Sequence, residues 1–436
     1  MATETQVHFN KQYLEEEVRQ LAKLQEFTLD AKPMQSIDET LVSAKKTLTE
    51  TYTVLARAAK LNRELSSAGE WLIDNFYIIQ EQIVQLQADL PKSYYEKLPR
   101  LTQGEFKGYP RTYEIIQLLA SISDNIIDRE NTTIAIKAYQ EVDILNLAEM
   151  WSVPLMNRFA LIVRLAQRSK KLLRDRKIQD DIDGLLSDKI SGNIDEPGFL
   201  LRKLSEIVEQ KHNTIRYLVI LAQRLQSRGM FTENERRWFD YKLSRWDTNL
   251  EEQLRSRIQQ TSRLHLSIQN AISSLREVSE TDWSLFVESC SVVERILRLD
   301  PADMYARMDF STRDRYRKIV EKLSAHSQYT EQDVAEQALM IAESAAQNGT
   351  SRRSKKMHIG YYLINEGYAA LCQKLAYKKP FDERFRELVQ QYPAIYFFFI
   401  GIHFAILLAI VGVVTNLIAR EGWMIILTLI VSWLPA

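Results

Sequence analysis

The sequence predicts an all-α protein, with a bundle of many helices first and apolar, membrane-spanning helices at the C-terminal end. Only 13 Gly and 10 Pro occur among 436 residues, so turns are rare, and residues that favour helices are abundant. Almost every window between residues 10 and 345 carries apolar residues at three- and four-residue spacing, which is the period of one helix face. We find no sustained alternation of apolar and polar residues, the pattern typical of strands.

The helices follow from this spacing in chain order. In the first, residues 13–27, the charged residues fill the positions around one apolar stripe, which consists of Leu14, Val18, Leu21, Leu24 and Phe27. Similar stripes cover 37–65, 70–90, 113–127, 134–151, 154–173, 199–225, 233–275 and 283–297. Breaks with Pro, Gly and polar residues lie at 91–110 and 187–198. We expect residues 1–345 to form one cytoplasmic helical domain.

A basic linker and amphipathic helices come next. The linker, 346–356, contains QNGTSRRSKK, whose cations suit either anionic lipid headgroups or plain solvent. Residues 357–392 return to helical spacing and lead toward an apolar segment. We interpret them as juxtamembrane amphipathic helices.

The C-terminal part is the most apolar of the chain. Residues 394–419 include 26 residues without a charged side chain, about 39 Å as a helix, which is enough to cross a hydrocarbon core with some tilt. After a short turn around Gly422, residues 423–436 are apolar and resemble the start of a second, incomplete span. Four cations precede the first span, so the positive-inside rule places the large N-terminal part in the cytoplasm. The lipid bilayer is therefore an expected partner.

Charge and composition exclude several classes of protein. Lys plus Arg and Asp plus Glu both number 57, which argues against a broad basic surface for nucleic acid. Cys290 and Cys372 lie far apart and the six histidines are scattered singly, so neither a disulfide framework nor a metal site is indicated. The acidic N-terminus lacks the basic start and apolar core of a signal peptide.

No motif in the chain identifies an enzyme. Asp181 and Asp183 spell the DxD of metal-dependent glycosyl transfer, but they lie in a helical or turn context without flanking strands. Trp238 and Trp246 each follow an Arg, yet the Gln of a QxxRW motif is missing in both cases. GxSxG, P-loop, GxGxxG and HExxH motifs are absent from the sequence. Whether the chain has an activity of its own stays open.

The segment from residue 70 offers acidic and aromatic candidates. Glu70 and Asp74 are four residues apart on one helix face and can act as acid and base, although a solvated or ion-paired face is the simpler interpretation. Trp71 and Tyr77 are candidate contacts for sugar rings. Packing against a core is the alternative for both aromatic residues.

The most charged stretch, residues 299–318, reads LDPADMYARMDFSTRDRYRK. Asp300 as N-cap, with Pro301 at the first helical position, predicts the start of one helix. Ser311 with Asp314 three residues later predicts the start of a second. These assignments, together with Asp303 in the first turn, explain three of the four aspartates in the stretch.

The second of these helices has a core face and a charged face. The core face consists of Tyr316, Ile319, Val320 and Leu323. On the charged face, Asp314 is expected to pair with Lys318 and Arg317 with Glu321. Capping leaves four residues without a role, and we consider them candidate contacts for a phosphate or a partner domain: Arg307, Asp309, Arg313 and Arg315.

Five stretches, in this order, resemble the N-terminal region of the cyclic β-1,2-glucan synthases, which are large bacterial inner-membrane enzymes. They are Glu70–Ile83, Leu98–Tyr113, Ala138–Ile162, Asp300–Leu323 and His358–Gly367. The similarity extends from about residue 65 to the end of the chain.

The resemblance implies a specific context. Members of the family combine a cytoplasmic helical region and several spans with a UDP-glucose-dependent glucosyltransferase domain and a phosphorylase-like module. The present chain ends before any glucosyltransferase or phosphorylase motif, so no catalytic residue is transferred to it. UDP-glucose and a divalent metal are expected only for the missing domain, and this chain itself is expected to hold no cofactor.

The implied location is the bacterial inner membrane, as part of a multi-pass protein. The implied partners are the other modules of the same enzyme, with the growing glucan as a further candidate. We therefore expect a fragment or a split gene product that scaffolds a catalytic domain. The alternative is a non-enzymatic, membrane-anchored helical interaction protein, and the oligomeric state stays open.

Overall fold

A computed structural model describes residues 10–29, 37–95, 97–190, 214–347, 355–391 and 393–418. The chain divides into two compact units, Met1–Arg295 (unit 1) and Ile296–Ala436 (unit 2). The predicted linker at 346–356 lies within unit 2, and residues 348–354 of it are outside the described residues. The predicted domain boundary there stays a prediction.

Unit 1 is built almost entirely from helices, which confirms the all-α prediction. Its helices are α1 Lys11–Leu24, α2 Ile37–Lys60, α3 Ser67–Asp74, α4 Phe76–Asp89, α5 Lys92–Tyr95, α6 Arg111–Ile122, α7 Arg129–Gln140, α8 Leu147–Ile190, α9 Thr214–Ser227, α10 Glu233–Leu243, α11 Leu250–Glu280 and α12 Ser284–Cys290. Two short strands, β1 Phe27–Thr28 and β2 Arg100–Leu101, pair antiparallel, with Phe27 opposite Leu101. The sequence did not predict this pair, because strands of two residues are too short to show an alternating pattern.

Local side-chain hydrogen bonds fix where several helices begin. Asn10 accepts from the backbone N–H of Tyr13 at 3.2 Å at the start of α1. Asp128 accepts from the N–H of Asn131 at 2.7 Å at the start of α7. Thr232 and Glu235 form a reciprocal capping box before α10. Each cap satisfies donors that the first helical turn leaves without an intrahelical partner.

The long helix α8 organises the core of unit 1. It packs against α2, α4, α6, α9 and α11, and buried residues such as Met156, Phe159 and Leu165 lie in the main core. Near its C-terminal end, Ile182 and Leu186 join a second core with α9, α10 and the start of α11. One helix thus connects both apolar clusters of this unit.

Four segments that the sequence predicts as continuous helices are interrupted in the structure. The segment 70–90 is two helices separated at Asn75, 134–151 is interrupted between α7 and α8, and 283–297 breaks at Ser291. The segment 233–275 breaks at Asp247, which has a φ of 55°. Conversely, α8 continues through Pro154. The apolar spacing persists across each break, so periodicity alone does not reveal them.

The first predicted stripe is partly confirmed. Leu14 and Val18 are fully buried, whereas Leu24 is 73% exposed and Phe27 lies in β1 instead of the helix. Of the stripe predicted at 199–225, residues 199–213 are outside the described residues. The remainder corresponds to α9.

Unit 2 contains a smaller set of helices. They are α14 Phe310–Ala325, α15 Glu331–Gln347, α16 Ile359–Ile364, α17 Tyr368–Lys374, α18 Phe381–Gln391 and α19 Pro393–Ile418, while α13 Val292–Leu297 straddles the boundary between the units. Val320, Leu323, Val334 and Leu363 are fully buried. The core of this unit therefore lies among α14, α15 and α16.

Both predicted helix starts in residues 299–318 are wrong. Asp300 precedes a turn and not an α-helix, and Asp303 adopts a φ of 51°. The helix α14 begins at Phe310 and is capped by Asp309, which accepts from the N–H of Thr312 at 2.9 Å. The carboxylate of Asp300 is instead engaged by residues about 58 positions later, which local sequence cannot show.

The predicted core face of α14 and one of its two predicted ion pairs are confirmed. Tyr316, Val320 and Leu323 are buried, and Ile319 is partly buried. Lys318 Nζ lies 2.8 Å from Asp314 Oδ2, as predicted. Arg317 is buried and donates to Asp314 at 3.3 Å, while its predicted pairing with Glu321 stays a prediction.

The helix α19, Pro393–Ile418, nearly coincides with the apolar segment predicted at 394–419. Within the described residues, no helix combines the length and apolar character that crossing a bilayer requires. The predicted transmembrane span is therefore not supported by the structure. The predicted turn at Gly422 and the second span at 423–436 are outside the described residues.

Candidate functional site

Four of the five stretches that resemble the glucan synthases meet in two buried polar clusters, one in each unit. The arginine cluster of unit 1 consists of Arg111, Tyr139, Asp143 and Glu149. Arg111 donates from Nε to Glu149 Oε1 at 2.5 Å and from Nη2 to Glu149 Oε2 at 2.8 Å. Its Nη1 lies 2.7 Å from Asp143 Oδ2. The side chains of Arg111 and Glu149 are 4% and 1% exposed, so a two-pronged ion pair is removed from water.

Helix ends bring the members of the arginine cluster together. Arg111 is the first residue of α6, and Tyr139 lies in the last turn of α7. Glu149 lies in the first turn of α8, where it accepts from the N–H of Asn146 at 2.9 Å while Asn146 Oδ1 accepts from the N–H of Glu149 at 2.8 Å. The carboxylate therefore caps its own helix and binds Arg111.

The cluster also connects to the β1 region. The guanidinium carbon of Arg111 lies 3.9 Å from the centre of the Phe27 ring, a cation–π contact. The hydroxyl of Tyr139 donates to Gln25 Oε1 at 2.8 Å. These contacts attach the segment after α1 to the ends of α6, α7 and α8.

The charges of the arginine cluster favour a structural ion pair over a site of proton transfer. Burial would lower the pKa of Arg111, but the hydrogen bond and charge of Glu149 outweigh it and raise that pKa above its ordinary value. Burial raises the pKa of Tyr139 above its ordinary value. Both groups therefore keep their protons at neutral pH.

The aspartate cluster of unit 2 consists of Asp300, Tyr316, His358 and the backbone of Ile359. Asp300 Oδ2 lies 2.7 Å from His358 Nδ1, and Oδ1 accepts from the N–H of Ile359 at 3.0 Å. On the far side of the ring, His358 Nε2 lies 3.3 Å from the hydroxyl of Tyr316. The side chain of Asp300 has no exposed surface.

Backbone groups complete the surroundings of this carboxylate. The N–H groups of Met304 and Tyr305 each donate to Asp300 Oδ2 at 3.1 Å. Burial would raise the pKa of Asp300, but hydrogen bonds from His358 and from the Ile359 and Tyr305 amides outweigh it, so the pKa lies below its ordinary value. Asp300 is therefore ionised at neutral pH and holds the turn before α14 to the start of α16.

Gly360 makes room for this arrangement. A Cβ at Gly360 would collide with His358 Nε2 and with the hydroxyl of Tyr316. Any larger residue would have to displace one partner of the Asp300–His358–Tyr316 chain. The HIGYY sequence at the start of α16 thus supplies both the ring and the space beside it.

The order carboxylate, imidazole, hydroxyl is that of an acid–base relay. Tyr316, however, is only 4% exposed, and its ring stacks on the buried Tyr305 with centroids 5.7 Å apart. Burial raises the pKa of Tyr316 further above its ordinary value. A hydroxyl that is enclosed and protonated is poorly placed to attack a substrate, so the geometry favours a structural lock.

The four charged residues predicted as a phosphate or partner contact are mostly engaged within their own segment. Arg307 pairs with Asp303 on the surface, and Asp309 caps α14, where hydrogen bonds from the Ser and Thr that follow lower its pKa. Arg313 donates to the backbone carbonyl that precedes Asp309. Arg315 is exposed. Their role toward a ligand stays a prediction.

The two predicted aromatic candidates differ in exposure. Trp71 on α3 is partly buried against the main core, and its Nε1 has no hydrogen-bond partner in the part of the chain that the structure describes. Tyr77 on α4 is 61% exposed and its hydroxyl accepts from Arg276 at 3.3 Å. Contact with sugar stays a prediction for both.

The other acidic residues that the sequence singled out lie in a contact between helices or on the surface. Asp183 accepts from Arg224 at 2.9 Å and from Arg228 at 2.8 Å within helical packing. Glu70 and Asp74 are exposed. Among the described residues, no group of three or more acidic, His or Cys side chains is arranged to hold a metal ion.

Sequence reasoning missed both clusters as sites. Arg111 and Glu149 are 38 residues apart, and Asp300 and His358 are 58 apart, so no local motif joins them. The available signal was the resemblance itself, because every member of the two clusters lies in one of the five quoted stretches.

Comparison with known proteins supports the resemblance. The chain is 28% identical over 335 residues to the cyclic β-(1,2)-glucan synthase NdvB of Rhizobium meliloti strain 1021. The aligned region covers 76% of this chain and 12% of that synthase, so the chain spans only a small part of its relative. No family model matches the chain.

We predict that Arg111→Met lowers the free energy of unfolding by about 3–5 kcal/mol, because Glu149 is left as a buried, unpaired carboxylate. Arg111→Met with Glu149→Leu should recover most of this loss, since both charges are then gone. Urea unfolding followed by tryptophan fluorescence measures both variants.

The matched control is Lys11→Met, which breaks the exposed Lys11–Glu130 pair of 2.5 Å. This change should cost far less stability than Arg111→Met, because water and salt screen an exposed ion pair. An Arg111→Met variant no less stable than the Lys11→Met variant would contradict the role assigned to the arginine cluster.

We predict that Asp300→Asn lowers stability at pH 7 by about 1–3 kcal/mol. The pKa of Asp300 is lower in the folded chain than in the unfolded chain, so its contribution is complete above the unfolded-state pKa of about 3.9. It is lost as the pH falls below that value through the folded-state pKa. The stability difference between wild type and variant in unfolding curves should therefore be the same at pH 7 and pH 5 and smaller at pH 3.5, and it should close only below the folded-state pKa.

The control for this pH series is Glu343→Gln, at an exposed position on α15. A gap between wild type and Asp300→Asn that stays constant from pH 7 to 3.5 would show that ionised Asp300 does not stabilise the fold.

Proposed function

We propose that this chain is the N-terminal helical region of a cyclic β-1,2-glucan synthase and that it scaffolds a UDP-glucose-dependent glucosyltransferase domain. The observation that carries the proposal is the similarity to the Rhizobium meliloti enzyme over 335 residues. Four of the five stretches of resemblance support it further, because they supply the residues of both buried clusters.

The chemistry of these clusters favours a scaffold over a catalyst. Arg111, Glu149, Asp300 and Tyr316 are each at most 5% exposed, and their polar atoms bind one another. Such groups hold helix ends in place and present no open face to a nucleotide sugar. We therefore assign UDP-glucose and any divalent metal to the glucosyltransferase domain, and we name that domain and the phosphorylase-like module as partners.

The second part of the proposal is attachment to the bacterial inner membrane, with the helical region in the cytoplasm and the uncharged segment 394–419, of which α19 is the described part, as the first of several spans. The uncharged segment 394–419 supports it. So do the exposed apolar side chains along α19, among them Phe397 at 70% and Ile410 at 55% exposure, because exposed apolar faces are typical of lipid or protein contact. The growing glucan is a further candidate partner of the cytoplasmic helices.

A chimera tests the scaffold. The segment of the Rhizobium meliloti synthase that aligns with this chain is either deleted or replaced by this chain, and cyclic β-1,2-glucan made from UDP-glucose is measured in isolated membranes. We expect the deletion to abolish synthesis and the chimera to restore it. The chimera with Arg111→Met should lose synthesis in proportion to the loss of folded enzyme.

Two outcomes would contradict the proposal. Undiminished synthesis after deletion would show that the enzyme needs no such scaffold. A folded, membrane-bound chimera that makes no glucan would instead favour the alternative, a non-enzymatic membrane-anchored interaction protein.

A further inference from the structure

We propose that α18, Phe381–Gln391, lies flat on the surface of a phospholipid bilayer, with one apolar stripe at the boundary between headgroups and acyl chains. This inference rests on the membrane attachment proposed above. It concerns a different helix from the proposed span, and it assigns a lipid-binding surface to residues of unit 2.

The apolar stripe consists of Phe381, Phe385 and Leu388. They stand at positions i, i+4 and i+7 and therefore share one helix face. Their exposed fractions are 82%, 42% and 42%, and the two phenyl rings stack with centroids 6.2 Å apart. Three large apolar side chains thus form a continuous exposed strip.

The polar face of α18 is the face that contacts the preceding residues of unit 2. Glu383 lies about 140–160° around the helix from the members of the stripe. It binds Lys322 Nζ at 3.0 Å and the hydroxyl of Tyr377 at 2.7 Å. Just before α18, the N–H of Lys378 donates to the carbonyl of His326 at 3.0 Å. Lys322 and His326 lie at the C-terminal end of α14.

This orientation is the reverse of the usual one for a surface helix. A helix in a water-soluble domain turns its apolar face to the core and its charges to water. Here Glu383 is 20% exposed and the phenyl rings point outward. Burial would raise the pKa of Glu383, but hydrogen bonds from Tyr377 and Lys322 outweigh it and the pKa lies below its ordinary value, so an ionised carboxylate fixes the helix with its apolar stripe outward.

Two observations favour lipid as the occupant of the stripe. First, the ring of Phe385 meets the ring of Phe399 of α19 edge to face at 6.2 Å, so the stripe is continuous with the exposed apolar surface of the proposed span. Second, the exposed cation Arg384 lies beside the stripe on the helix surface, Lys378 precedes the helix, and Arg386 lies on its more polar side. Aromatic and aliphatic side chains with basic residues beside them are typical of helices that lie in the membrane interface.

The test uses the full chain in lipid nanodiscs of phosphatidylcholine and phosphatidylglycerol. In a background with Cys290→Ala and Cys372→Ala, one cysteine at a time is labelled with the fluorophore NBD. The positions are Phe385→Cys on the stripe, Gln390→Cys on the opposite face of α18 as the matched control, and Ile406→Cys on α19 as the reporter of the proposed span. Lipids with a spin label at a shallow or a deep acyl position act as quenchers.

We expect the label at position 385 to show blue-shifted emission and to be quenched by the shallow spin label. The label at position 390 should show neither effect, and the label at 406 should be quenched by the deep spin label. Adding Arg384→Gln and Arg386→Gln should reduce shallow quenching at 385 when phosphatidylglycerol is present.

The outcomes separate this inference from the proposed function. Quenching at 406 without quenching at 385 would overturn the inference alone. Quenching at neither position would overturn both the inference and the membrane attachment. A blue shift at 385 that no lipid quencher reduces would mean that protein covers the stripe, and that too would overturn it.

Discussion

The guanidinium of Arg111 is almost completely buried, and a buried cation is tolerated only where carboxylates and carbonyls surround it. That constraint brings the start of α6, the end of α7 and the start of α8 to one point, because Glu149, Tyr139 and the carbonyl of Ile144 lie there. Since α8 then extends through both apolar cores of unit 1, the position of its first turn determines where the other helices pack. In unit 2 the buried carboxylate of Asp300 plays the corresponding part.

The sequence predicted the kind of structure better than its boundaries. Apolar spacing identified helices almost everywhere, because burying one face is what makes an amphipathic segment helical in a protein. Apolar spacing did not reveal the breaks at Asn75, Asp247 and Ser291, because the apolar pattern continues on both sides of each break. The capping pattern gave a wrong helix start at Asp300, because its carboxylate binds His358 and a distant backbone amide instead. Its local sequence, an Asp followed by Pro, is the same in either case.

The candidate site was less accessible to sequence reasoning than the fold. Charge density drew attention to Arg307, Arg313 and Arg315, which lie on the surface or bind within their own segment. The groups that the structure brings together are separated by tens of residues, and only the resemblance to a family indicated that those stretches belong together. Burial decides their chemistry, because the same Asp, His and Tyr on an open surface would suit proton transfer. In this chain they lock a turn to a helix.

We propose that this region is an architectural part of a glucan synthase, stabilised internally by two buried clusters and attached to a membrane. The most direct test is the rate of cyclic glucan synthesis per folded molecule in the chimera that carries Tyr316→Phe. This change removes one hydroxyl and keeps the ring that stacks on Tyr305. We expect an unchanged rate of glucan synthesis per folded molecule. A loss of roughly 100-fold or more, the size expected when an acid–base group is removed, would contradict it and would make the Asp300–His358–Tyr316 chain a catalytic relay.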